Sequence, residues 1–542
     1  MPNLTRDQFL ALAADGVSAA VTRLVPVVTT LLADQLTPVV AYRRLVSPDP
    51  RSAPSFLLES VEAGERQGRY SVLGARPLLE VVARGTSVRS VGALSRADPR
   101  SNVAATPSDV HAHADPFAIM REESRRLRLL PAPGTPACFL GGWVGYAAYD
   151  SVRYTEPEKL PFSSAARDDR SLPDLHFGFY NGLVIFDHAQ RAVHVIELAM
   201  IEPGADPAAA YDHAITSINR TVELLNTHTE PLRASEMPTP GGDLGTALPS
   251  NLTREDHGAM LAKAKEYIAA GDIFQVVLGQ RFERPSAADP FDVYRALRAV
   301  NPSPYMAYIQ AQGCILIASS PEILCRVRRT SAGMEVTNRP LAGTRRRGKD
   351  PADDARLERE LLADAKERAE HIMLVDLGRN DVGIVAQPGS IALPSVMEVE
   401  RYSHVMHISS TVTGTLREGL DCWDALRAAL PVGTISGAPK IRAMQIIDEL
   451  EPIRRGPYGG GLGYVGLDGQ MDIALTLRTI VAPTEPPFSA GPTWTYHLQA
   501  SGGIVADSIA EDEYQETVNK AAAMARAITV AEHSFGGEGD GR

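Results

Sequence analysis

Cysteine is scarce: the 542 residues hold four, Cys138, Cys314, Cys325 and Cys422, with no CxxC and no ligand-like spacing. That excludes a disulfide framework and a cysteine-held metal, and predicts reduced thiols. Basic charge is in deficit as well, the net charge being −12, so there is no electrostatic footprint for nucleic acid or an anionic membrane. No run of about 18 apolar residues occurs, and the opening MPNLTRDQFLALAADG carries an early acidic residue and no apolar leader core. Together these absences predict a soluble, cytoplasmic protein that works on small molecules or with protein partners, and with neither nucleic acid nor membrane. What is present suits a globular chain, 44% hydrophobic and 22% charged. The length allows about three to four domains, fewer if the sheets are large.

The spacing of Phe9, Leu10, Leu12, Val17, Val21 and Leu24 predicts a helix at the start, followed by β-rich VVAYRRLV and SFLLESVE. Residues 95 to 116 are polar and proline-punctuated, hence a loop, before a helix around 117 to 129. The polar stretch 227 to 251 is the best linker. It predicts an N-terminal region at 1–235, a linker at 236–251, a C-terminal catalytic region at 252–533 and a disordered tail at 534–542. Thr253 with Asp256 three residues on gives a capped helix closed by Gly271, and Asp353 to about Leu377 is helical. MDIALTLRTI and TWTYHLQAS alternate as strands, the first with Asp472, Thr476 and Arg478 on its polar face.

Two carboxylate pairs stand out. Glu367 and Glu370 share one helix face in KERAEHIMLVDLGRND, and Glu513 with Glu516 repeats the spacing in EDEYQETVNK. Taken singly, each pair reads first as a solvated helix face. Converging, they suit a hard, oxygen-ligated cation such as Mg²⁺. Two glycine patterns are rejected. Gly461, Gly463 and Gly466 spell GxGxxG, but a strand-like segment follows where a dinucleotide site needs a helix; Gly343 to Lys349 nearly spells a phosphate loop, but Asp350 stands where Ser or Thr belongs. Gly502 and Gly503 end a strand as a plain turn or as a close backbone approach to a carboxylate. His404 and His407 are structural or titrating, Arg478 a surface residue or a carboxylate clamp, and Thr434, with Lys440 beyond, a turn or a hydroxyl beside a bound anion.

In order over residues 319 to 521 the chain reads SSPEILCRV, NRPLAGTRRRG, KERAEHIMLVDLGRND, RYSHVMHISSTVTGTLREG, LPVGTISGAPKIRAMQIIDELE, RRGPYGGGLGYVG and EDEYQETVNKA. These strings resemble the chorismate-utilising enzyme family, and within it the large aminating subunits that form anthranilate. The likeness extends upstream through GDIFQVV and NPSPYMAYI to LLES. It implies an α/β (α+β) fold of large antiparallel sheets with flanking helices. It implies Mg²⁺ on Glu370 and Glu516, with Glu367 and Glu513 holding metal waters, gripping the ring carboxylate of chorismate. Tyr458 and Arg478 then take the enolpyruvyl carboxylate, Gly502 and Gly503 add amides, and Lys520 adds a cation. Glu322 matches the family's acid, His407 its second-step histidine, and Thr434 a residue near the ring.

Gln275 stands where water-adding relatives carry a lysine base, and Ala342, in the Leu-Ala-Gly-Thr run with Gly343 and Thr344, where para-aminating relatives carry a lysine nucleophile. The family also implies a separate glutamine amidotransferase subunit (component II), hence a hetero-oligomer. It implies feedback by L-tryptophan at a pocket of Leu58, Glu59, Ser60, Pro304, Tyr305 and Met306. A silent homologue kept for partner or tryptophan binding is the competing reading.

Overall fold

The computed structural model describes residues 2–14, 21–62, 66–94, 110–112, 115–227, 248–402, 405–430, 432–490 and 493–535. Two large sheets, one of 13 strands and one of 12, lie face to face between helices. Phe56, Val144, Tyr146, Ile185, Leu316, Leu462 and Ala474 form the layer between the sheets. The outer face of the larger sheet packs on the helices Pro207–Asn226, Pro290–Val300 and Ala510–Phe535. The outer face of the smaller sheet packs on Pro116–Arg125, Ala365–Val385 and Cys422–Ala429. Central strands such as Cys314–Ser320 are buried on both faces, which is why they read as unbroken apolar runs.

Neighbouring strands run antiparallel almost throughout, as expected for large antiparallel sheets with flanking helices. The sequence boundary near residue 252 does not divide the sheets. Tyr305–Ala311 pairs directly with Ser55–Glu59, Met306 opposite Glu59, and Gly142–Ala147 pairs with Gly461–Gly466. Most of the 236–251 linker falls outside the described residues, though Ser250 already bridges to Phe282. The final helix continues through Phe535, so Ser534 and Phe535 are helical; the rest of the expected tail is not described.

Several local expectations are corrected. The first helix is described over Arg6–Ala14, Val17 lies outside the described residues, and Leu24 lies in the strand Thr22–Leu32, where β-branched residues dominate. PVVAYRRL is a helix, because Thr37 caps it and Pro38 stands at its first turn, which outweighs the β preference of its valines. The long helix divides at Asp364, which closes Pro351–Ala363 and caps Ala365–Val385. The strand Met471–Leu475 ends before Thr476, and Arg478 sits in a left-handed turn with φ 45°, not on a strand's polar face. The capping box at Thr253 and Asp256, and Gly271 at φ 82°, are as expected. Gly461–Gly466 is itself a strand, which removes the dinucleotide motif.

Candidate active site

The strand Leu341–Arg346 gathers two of the expected groups. The Leu341 backbone N–H bonds Glu322, and Gly343, two residues on, offers its carbonyl to His407 Nδ1 at 3.0 Å. Thr344 Oγ1 lies 3.1 Å from the same nitrogen, and the strand pairs Thr344 opposite His407. Gly343 takes φ 69°, and a Cβ there would press on Glu367 and Leu361 at 3.1 Å. Ala342 beside it is buried and has no nucleophile to offer.

Glu322 is buried just before the strand Ile323–Thr330, and burial pushes its carboxyl up to about 8, although Thr434 Oγ1 donates to Oε1 at 3.2 Å. Thr434 comes from the short helix Gly433–Ser436. His407 is driven the other way: burial, with the Arg478 cation, lowers it to about 4. It is therefore a neutral imidazole, and since Nδ1–H is the nitrogen that donates to the Gly343 carbonyl, Nε2 carries the lone pair; Nε2 is buried and has no hydrogen-bond partner among the described residues. His404 lies outside the described residues.

The carboxylates converge nearby, Glu367 reaching Gly343 of the same strand. Gln275 Nε2 donates to Glu370 Oε1 at 3.3 Å. Burial and the neighbouring Glu367 raise the Glu370 carboxyl, with Glu516 adding to the shift, while burial and Glu516 raise Glu513. Each acid has its own partner: Glu367 takes Arg345 at 3.0 Å, Glu513 takes Ser508 Oγ at 2.8 Å, and Glu516 takes Lys520 at 2.6 Å. Among the described residues no three such groups form a ready-made metal site. Four carboxylates that repel one another still fit a hard cation chemically, one that would take the place of the Arg345 and Lys520 charges.

Gly502 and Gly503 are not a turn. They lie inside the strand Thr493–Ile504 against these acids, where a Cβ on Gly502 would meet Glu513 at 2.8 Å and one on Gly503 would meet Gln275 Nε2 at 2.5 Å. Lys520 also donates to the Ser501 carbonyl at 2.9 Å. Tyr458 is buried, which raises its phenol to about 12. Burial lowers the Arg478 guanidinium, which makes no hydrogen bond among the described residues.

Leu58, Glu59, Ser60, Pro304, Tyr305 and Met306 all line one cavity of about 1360 Å³ between the sheets. Glu59 is already neutralised, by Arg298 at 2.7 Å and the Tyr294 hydroxyl at 2.6 Å. Sequence reasoning missed Arg326 and Asp472 in this cavity. Arg326 donates to Asp472 at 2.9 Å and to the Tyr305 hydroxyl at 2.6 Å, and that hydroxyl donates to Asp472 at 2.8 Å. Their signal was faint: Asp472 is the one polar residue of Met471–Leu475, and Arg326 is one of several polar residues in the strand Ile323–Thr330.

Residues 81–526 match the model of the chorismate binding enzyme family, and the chain belongs to that family. Within it, the relatives are anthranilate synthase large subunits. The chain is 52% identical to alpha subunit 1 from Oryza sativa subsp. japonica over 97% of its own length and 91% of that protein. It is 42% identical to component 1 from Pseudomonas aeruginosa, over 98% of this chain and 100% of that one. The crystal structure of component I from Streptococcus pneumoniae superposes with a TM-score of 0.69 at 33% identity, covering 92% of this chain and 99% of the other. The cytoplasmic expectation is corrected here. The rice subunit and two Arabidopsis thaliana relatives are chloroplastic. Reduced cysteines tell an oxidising compartment from a reducing one, not the cytoplasm from an organelle. No helix among the described residues is long and apolar enough to cross a membrane.

Proposed function

We propose that the chain is the aminating subunit of an anthranilate synthase of tryptophan biosynthesis, a Mg²⁺-dependent lyase that converts chorismate and ammonia to anthranilate and pyruvate. The observation that carries this is the contrasting pair held by one strand, Leu341–Arg346: a carboxyl raised toward the protonated form at Glu322 and a neutral histidine at His407 whose Nε2 has no partner among the described residues.

Glu322 gives its proton to the C4 hydroxyl of chorismate as that C–O bond breaks and ammonia forms the C2–N bond. Water leaves, the new ammonium sheds a proton to solvent, and Glu322 is left as the carboxylate. His407 Nε2 then takes the C2 proton as the enolpyruvyl ether bond breaks, which aromatises the ring; the departing enolate takes a proton from water at its methylene carbon to become pyruvate, and the His407 imidazolium returns its proton to solvent. Thr434 orients Glu322. Tyr458 and Arg478 hold the enolpyruvyl carboxylate, joined by the Gly502 and Gly503 amides and Lys520. Glu370 and Glu516, together with Glu367 and Glu513, would hold Mg²⁺, which would supply the fixed positive charge the ring carboxylate needs. Gln275 supports amination over hydration, because an amide takes no proton from water, and Ala342 supports the ortho product, because it forms no adduct.

Ammonia comes from a glutamine amidotransferase partner, and L-tryptophan inhibits from the cavity at Ser60 and Met306. The purified chain with chorismate, Mg²⁺ and ammonium salt, followed by fluorescence and mass spectrometry, should make anthranilate that tryptophan suppresses. The para isomer, or no turnover, would overturn the proposal.

A further inference from the structure

Lys440 is the first residue of the helix Lys440–Leu450, the end where a cation is disfavoured by the helix dipole, and it is largely buried. Its ammonium is paired with Asp381, on the helix that carries Glu367 and Glu370. The segment Gly433–Lys440 touches three parts of the region: Glu322, the strand that begins at Gln275, and the carboxylate helix. Thr434 donates to Glu322 at 3.2 Å, Gly437 and Ala438 pair in register with Val276 and Gln275, and Gly433 lies so close to Leu377 that a Cβ there would stand 1.6 Å from its methyl. Packing at Gly433 resists approach but not sliding; an ion pair between buried partners fixes direction as well.

We infer that the Asp381–Lys440 pair is a positioning clamp, which locks the segment Gly433–Lys440 onto the carboxylate helix so that Thr434 stays on Glu322. The inference rests on Glu322 being the acid of the proposed reaction. Lys440→Met alone strands a buried carboxylate and can unfold the chain, so the deciding variant is the double Asp381→Leu, Lys440→Met, which leaves neither charge.

With free ammonia, its kcat should fall about 10- to 100-fold while KM for chorismate stays near the wild-type value, the signature of a displaced group rather than lost binding. Lys440→Arg should restore most of kcat. Independently of turnover, the infrared stretch of the protonated Glu322 carboxyl, identified by its loss in Glu322→Gln, should shift as it does in Thr434→Val. A folded double variant with wild-type kcat, or with an unshifted band, overturns the clamp. If the wild-type chain aminates nothing, the reaction assignment fails and the infrared band alone still decides the clamp.

Discussion

Replacing Thr434 by valine removes one hydrogen bond and little volume, and its effect can be sized from the structure. A carboxyl at 4.5 would be protonated in only about one molecule in 300 at pH 7, whereas at the value of about 8 set by burial, about nine in ten are ready to donate. The Thr434 hydroxyl works against that shift by stabilising the carboxylate. A hydrogen bond to a charged group contributes about 1.5–3 kcal/mol, or about 1–2 pKa units. The Leu341 N–H remains, which favours the lower end. An acid must be protonated to act, so activity falls as pH rises through its pKa, and Thr434→Val should move this alkaline limb up by about one unit. The assay is the pH profile of kcat/KM for chorismate, which reports the free enzyme, with rates expressed per free ammonia. Glu322→Gln, the control, should lose about 10²- to 10⁴-fold. A limb that stays put or moves down in Thr434→Val, or full activity in Glu322→Gln, refutes the reasoning.

His407→Met should consume chorismate yet release an aminated, unaromatised intermediate detectable by mass spectrometry; normal anthranilate output would take His407 out of the mechanism. Gly503→Ala sets a methyl 2.5 Å from the Gln275 amide, and overpacking of about 1–3 kcal/mol should weaken chorismate binding roughly 5- to 150-fold by calorimetry. Unchanged affinity would mean that no substrate approaches that backbone. Glu370→Gln should raise the Mg²⁺ concentration for half-maximal rate at least about tenfold, and an unaltered titration would refute its role as a ligand. Ser60→Phe, crowded by Gly68, should relieve tryptophan inhibition without lowering uninhibited kcat; persistent inhibition would move the effector elsewhere.

The fold was legible where one residue type dominates a local choice. Thr253 and Asp256 cap a helix from either viewpoint, and the apolar run at Cys314–Ser320 is a strand because both its faces meet a core. It was illegible where two local signals compete. In PVVAYRRL the cap and the first-turn proline won over β-branched valines, and at Leu24 helical spacing lost to strand pairing with residues 192–201, far along the chain. Nor could periodicity reveal that the two halves interleave. Pairing of Tyr305–Ala311 with Ser55–Glu59 is a long-range event with no local trace.

The site divides along the same line. The family motifs singled out Glu322 and His407, but what leaves one protonated and the other with a vacant nitrogen is context: Glu322 is buried beside one hydroxyl and one amide, and His407 donates its Nδ1–H to a carbonyl. One short strand makes both contacts, from Leu341 and from Gly343, so acid and base are fixed relative to each other by backbone rather than by flexible side chains. That arrangement suits the two proton transfers of the proposed reaction, at the C4 hydroxyl and at C2 of one ring. The first needs a proton present at neutral pH and the second needs a vacant lone pair, and a carboxyl near 8 beside an imidazole near 4 provides both without either group having to exchange with solvent first.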